Sequence, residues 1–145
     1  MAEAVTASKG EFAALERGVA LPPFELPVSR EDVAAYLEST GEQNELWERY
    51  VPPLALGAFA LGGLMARFKV PGGLVHTGQE YDFLEPVPIG ETVEVSISVA
   101  SNSERRGARM VVFAIELRIL EQVVGRGRTT VLLAPEGTEV EVLPA

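Results

Sequence analysis

The sequence predicts an α+β protein in which one long antiparallel sheet curves around a single apolar helix. Three observations carry that prediction. The stretch Pro52–Phe68 shows no charge until Arg67, so a helix there has no obvious wet face and is expected to be buried. From Leu74 onward the hydrophobic period changes from that of a helix to the alternation of strands, in four successive runs. A sheet of that length must bury one face, and curving it around the apolar helix covers both elements at once.

Each element has its own local warrant. Residues 1 to about 11 are small and polar and are expected to be loose. Val19–Val28 carries Pro22, Pro23 and Pro27, which suits an extended segment at a sheet edge, where missing N–H groups are tolerated. Ser29 opens a capping box with Asp32 three residues on. The helix that follows carries Val33, Tyr36 and Leu37 on one side and is expected to stop near Gly41. Glu42–Val51 reads as irregular and holds the only tryptophan, Trp47. Pro52 and Pro53 open the central helix, where a proline costs little, and Val70-Pro71-Gly72-Gly73 cannot continue it.

Within the central helix Ala55, Ala58, Gly62 and Ala66 recur at helical spacing on one side, and Leu54, Leu61, Met65 and Phe68 on another. The small side lets a sheet approach closely or leaves room for a ligand. Among the strands, Thr92–Val99 alternates cleanly, with Val93, Val95, Ile97 and Val99 facing one way. Ser101–Gly107 reads as a polar turn, and Met110–Leu120 is apolar enough at its start to be expected to be covered on both faces. Glu121 and Gln122 turn the chain into a last strand, Val123–Leu133, before an acidic tail from Pro135.

At 145 residues the chain reads as one domain, 1–145, with tails at about 1–11 and 135–145. Cysteine is absent, so no disulfide framework or thiolate metal site exists. His76 is the only histidine, and no metal site is expected from one imidazole. The net charge of −9 comes without a basic stripe, which argues against nucleic-acid binding. The start of the chain lacks the pattern of a signal peptide. The central apolar run is shorter than the roughly 20 residues that span a bilayer, so no membrane association is expected and a cytoplasmic location is.

Two stretches carry a resemblance. One is Tyr36-Leu-Glu-Ser-Thr-Gly-Glu-Gln-Asn-Glu-Leu-Trp47; the other is His76-Thr-Gly-Gln-Glu-Tyr-Asp-Phe-Leu-Glu-Pro-Val-Pro-Ile-Gly-Glu-Thr92, followed later by Val123-Val-Gly-Arg-Gly-Arg-Thr-Thr. Over roughly residues 15–134 the chain resembles the MaoC-like hotdog dehydratases and hydratases, in particular the non-catalytic N-terminal half-domain of their double-hotdog members. The resemblance implies the hotdog fold and addition or removal of water across an enoyl thioester of coenzyme A or acyl carrier protein, with that thioester as substrate and no cofactor. In active members the loop reads Gly-Asp-x-Asn-Pro-(Ile/Leu)-His, and the aspartate and histidine hold and deprotonate the water. Here the aligned residues are Gly41, Glu42, Gln43, Asn44, Glu45, Leu46 and Trp47. The glycine, asparagine and leucine survive, but the aspartate is Glu42 and the histidine is Trp47. An indole has no basic nitrogen to titrate near pH 7, so the hydratase loop reads as disabled.

That departure implies a subunit that shapes the acyl-binding pocket while a partner chain supplies the catalytic pair. A homodimer, or a heterodimer with a catalytic MaoC-like hotdog chain, is expected, because one such sheet leaves an edge that pairing would cover. The candidate catalytic residues are Glu42, Asn44 and His76. Glu42 and Asn44 read equally as a solvated loop after a helix. His76 reads as sharing a strand face with Gly78, Glu80 and Asp82, where a carboxylate would orient it, or as a histidine hydrogen-bonded where strand meets helix. The candidate substrate-binding residues are Trp47 as pocket lining, Ala58 and Gly62 on the small side of the helix, Gln79, and Arg126 and Arg128. The two arginines suit phosphates, and equally suit surface ion pairs. Two other functions stay open: a hotdog thioesterase using a carboxylate such as Glu42 or Glu80, and a non-catalytic acyl-CoA-binding protein.

Overall fold

The computed structural model describes residues 15–67 and 73–135. In chain order these hold β1 (Phe24–Pro27), α1 (Arg30–Thr40), a single 3₁₀ turn (Glu45–Glu48), α2 (Pro53–Met65), β2 (Leu74–Phe83), β3 (Thr92–Arg105), β4 (Ala108–Ile119) and β5 (Gln122–Leu133). The strands form one antiparallel sheet in the order β1-β3-β4-β5-β2. Sheet and helices together are the expected α+β arrangement. Expectations for residues 1–11, for Phe68 and Val70–Gly72, and for the tail beyond Pro135 lie outside the described residues.

Local chemistry sets the entry to α1. The Ser29 hydroxyl accepts the Asp32 N–H at 3.1 Å while the Asp32 carboxylate accepts the Ser29 N–H at 3.2 Å, so two orphan donors are satisfied reciprocally. Gly41 ends the helix at φ 71°, a left-handed conformation that a side chain disfavours. The proline-rich β1 lies at the sheet edge against β3, as its missing N–H groups require.

The core lies between α2 and one face of the sheet. Leu56, Ala60 and Leu64 from the helix meet Val93, Val95, Val111, Phe113, Leu117 and Val131, all buried. Close approach is set at Gly57 rather than Gly62. A Cβ on Gly57 would lie 2.6 Å from the Gln79 side-chain amide and 3.1 Å from the Tyr81 ring, whereas one on Gly62 would meet open space. The helix is also not buried all round. Leu54 is 64% exposed, and Ala58 and Gly62 lie on the same uncovered stripe. A charge-free run shows that a helix can be buried on every side, but this sheet covers only one.

Three strand expectations change. Residues 101–105 continue β3 and pair with 108–112 beyond a bulge near Ala100, so the polar turn shrinks to Arg106 and Gly107, at φ 53° and 81°. Polar composition marked an outward-facing strand end there, not a loop. In β4 only alternate residues (Val111, Phe113, Ile115, Leu117) are buried, so the strand is covered on one face, with half-exposed Val112 and Ala114 supplying the rest of its apolar run. In β2 the register breaks between His76 and Gly78, with Thr77 extra. That bulge turns His76 onto the face of Val131, toward α2, while Glu80 and Asp82 face the other way. The expected shared face of His76 with Glu80 and Asp82 is therefore absent.

Candidate functional site

The loop between α1 and α2 organises itself from short-range bonds. Asn44 caps the 3₁₀ turn, its side-chain oxygen accepting the Leu46 N–H at 2.9 Å. One turn on, the Trp47 indole N–H donates to Glu42 Oε1 at 2.9 Å. The loop is pinned below by Arg30, whose guanidinium donates to the Glu48 carbonyl at 3.1 Å, and by Val51 N–H on the Val87 carbonyl at 2.8 Å. Glu42, Asn44 and Trp47 are thus brought together, with Glu42 Oε1 and Asn44 Oδ1 already engaged.

Trp47 is half-buried and stands between two depressions. On one side is an apolar cavity of about 420 Å³, lined by Leu46, Tyr50, Leu56, Phe83, Leu84 and Val87 among others, with Glu85 as its charged residue. On the other is an open hollow of about 480 Å³ formed by Leu37, Gln43 and Asn44 with three carboxylates, Glu42, Glu45 and Glu48. Tyr36 lies close enough to feel this charge: burial first and the Glu42 carboxylate second push its phenol above the ordinary range. Apolar side chains remain uncovered nearby, Leu46 at 54% and Leu84 at 50%.

The remaining candidates fall elsewhere. Ala58 and Gly62 lie on the exposed stripe of α2 and line neither depression. Gln79 reaches over Gly57 beside Tyr81 on the helix side of the sheet. Tyr81, stacked on Phe83 at 5.3 Å, has a buried hydroxyl that, like that of Thr129, has no partner in good hydrogen-bonding distance and angle among the described residues. Burial pushes the Tyr81 phenol up to about 12, the neighbouring Thr129 hydroxyl opposing that rise. His76 is exposed, and its side chain has no hydrogen bond or ion pair among the described residues.

Arg126 and Arg128 occupy the sheet face turned away from α2, opposite Asp82 and Glu80 in the β2 register. Arg126 is engaged: its Nε lies 3.3 Å from Glu116, which Arg118 also binds at 2.6 Å. The Arg118 bond first, with help from Arg126, holds the Glu116 carboxyl below its ordinary range against the opposing effect of burial. The sheet itself separates both arginines from the depressions at Trp47. Among the described residues no three of His, Cys, Asp and Glu are grouped to hold a metal, and no helix is long and apolar enough to cross a membrane.

Sequence reasoning found the loop through its spacing but missed most of the cavity lining. Tyr50, Phe83, Leu84 and Glu85 come from two segments that only the fold joins, through the Tyr50–Pro88 bridge and the bond between Val51 and Val87. The Leu-Glu-Pro-Val run at 84–87 is the one signal that would have suggested it.

No family model and no curated protein matches the chain. Solved structures do. The unliganded R-hydratase PhaJ1 of Pseudomonas aeruginosa matches with a TM-score of 0.70 at 21% identity, over 92% of this chain and 93% of that one. A MaoC-like dehydratase from Rhodospirillum rubrum matches at 0.67 and 15% identity, over 86% and 97%. The C-terminally truncated HadBC complex of Mycobacterium tuberculosis, a 3R-hydroxyacyl-ACP dehydratase, matches at 0.61 and 20% identity, over 80% and 96%. The chain has the hotdog fold, and its structural neighbours are MaoC-like dehydratases and (R)-hydratases.

Proposed function

We propose that this chain is the acyl-binding subunit of an (R)-specific enoyl-CoA/ACP hydratase or 3-hydroxyacyl thioester dehydratase, with the catalytic aspartate and histidine supplied by a partner chain. One observation carries the proposal: the loop is well formed, yet an indole donates to Glu42 where the family's active members place a histidine. Indole nitrogen is a donor only and takes no proton from water. Asn44 is likewise spent on capping Leu46. What the chain offers instead is the apolar cavity beside Trp47, sized for the chain of an acyl thioester.

The partner has a place to bind. β2 lies at the sheet edge with one row of backbone groups outside the ladder, and the uncovered stripe of Leu54, Ala58 and Gly62 is on the neighbouring helix. A two-chain neighbour, HadBC, supports an assembly of this kind. The test is an enoyl-CoA hydration assay with crotonyl-CoA and longer enoyl-CoA esters. The purified chain alone is expected to give no turnover, and the co-purified native complex to be active. Robust turnover by the lone chain overturns the proposal.

A further inference from the structure

We infer that the cations holding the anionic carrier of the acyl thioester belong to the partner subunit, and that this chain's own mouth admits the acyl thioester while repelling the carrier's phosphates. The inference rests on the acyl-pocket reading above and names the charge selectivity of that same site. Its starting point is the distribution of charge around Trp47. The apolar cavity has Glu85 in its wall, and the hollow across the indole has Glu42, Glu45 and Glu48. Neither lining contains a lysine, arginine or histidine. Glu42, Glu45 and Glu48 are exposed, so their fields reach a ligand entering from solvent.

Few cations stand near this charge, and the others are paired or remote. Arg30, which donates to the neutral Glu48 carbonyl and keeps its charge, and Arg49, next to Glu48, offset only part of the charge of Glu42, Glu45, Glu48 and Glu85, and neither joins a lining. Arg67 donates to the Pro22 carbonyl at 2.7 Å and lies over the Phe24 ring. Arg109 is held by Asn102 and Glu104. Arg126 is paired with Glu116, and Arg128 shares its face of the sheet, away from the cavity. A coenzyme A or phosphopantetheine arm carries its phosphates beyond the thioester, so a chain seated in the cavity brings them out over these carboxylates. Like charges placed together lower affinity and slow association, and salt weakens the effect. A partner with a basic face at this mouth cancels the penalty and completes the site.

The single tryptophan makes this measurable, because Trp47 walls the cavity and its fluorescence reports occupancy. The probes are octanoyl-N-acetylcysteamine, which is neutral, and octanoyl-coenzyme A, titrated against the lone chain at low and high salt. The neutral thioester is expected to bind with a salt-insensitive Kd. The coenzyme A ester is expected to bind about tenfold or more weakly at low salt, the gap narrowing as salt rises. In the variant Glu45→Lys/Glu48→Lys, whose exposed side chains make no bond in the loop, that gap closes, and circular dichroism checks that the variant is folded. Equal or tighter binding of the coenzyme A ester at low salt overturns the inference while leaving the pocket in place. Failure of both probes to bind at either salt overturns the acyl-pocket reading itself, and the inference with it.

Discussion

The helix–sheet interior and the Trp47 loop are built on opposite principles. The interior is held by long-range packing: Val95 of β3 and Phe113 and Leu117 of β4 meet Leu64 of α2, far from them in sequence, with none of them exposed. The loop takes its shape from contacts of two to five residues, Asn44 to Leu46 and Glu42 to Trp47, is tied to the rest at Arg30 and Val51, and keeps its side chains largely in solvent. The difference teaches where the chain has room for substitution. A side chain in the self-capped loop can change without disturbing the interior, whereas the same freedom does not exist under α2.

The contrast can be broken at its strong end first. Phe113→Ala removes a fully buried ring from the centre of the sheet and is expected to cost about 3–5 kcal/mol, read as a fall in the denaturant midpoint at unchanged slope. A cost below about 1 kcal/mol would mean the interior is far looser than its burial indicates. Trp47→Phe keeps an aromatic wall but deletes the bond to Glu42. The expected cost is no more than about 1 kcal/mol, with faster amide exchange confined to residues 42–48. A global destabilisation would instead make the loop part of the core.

The smallest expected effect is on the outer face. Glu116 is ionised and bonded to Arg118 and Arg126, and its folded-state pKa is lowered. A depressed carboxyl stabilises the fold above its unfolded pKa, and that contribution is lost as pH falls through the lower, folded value. Acid unfolding of Glu116→Gln should therefore show a weaker dependence on pH below about 4.3 than the parent. Curves that coincide would show the three-residue network to be inert.

Much of the fold was legible because local chemistry dictates it. Ser29 and Asp32 fixed the start of α1, Gly41 its end, and the alternation from Val93 to Val99 the buried face of β3. The loop of the site was legible for the same reason, through the spacing of Gly41, Asn44, Leu46 and Trp47. What local chemistry left open was what lies across from a residue. One extra residue at Thr77 reversed the face of His76, and the pairing of β5 with β2 put Arg126 and Arg128 on the sheet face away from α2.

The sequence by itself thus determined the elements and their order, a single apolar helix followed by four strands, and a loop whose tryptophan cannot act as a base. These follow from periodicity, capping and side-chain chemistry, all properties of neighbours in the chain. Only the tertiary structure decided that Gly57 and not Gly62 lies against the sheet, that one stripe of α2 stays uncovered, and that Leu84–Val87 closes a cavity on Trp47. Those depend on register and on which side of a curved sheet a residue falls, and a single-residue bulge changes both without leaving a mark in composition.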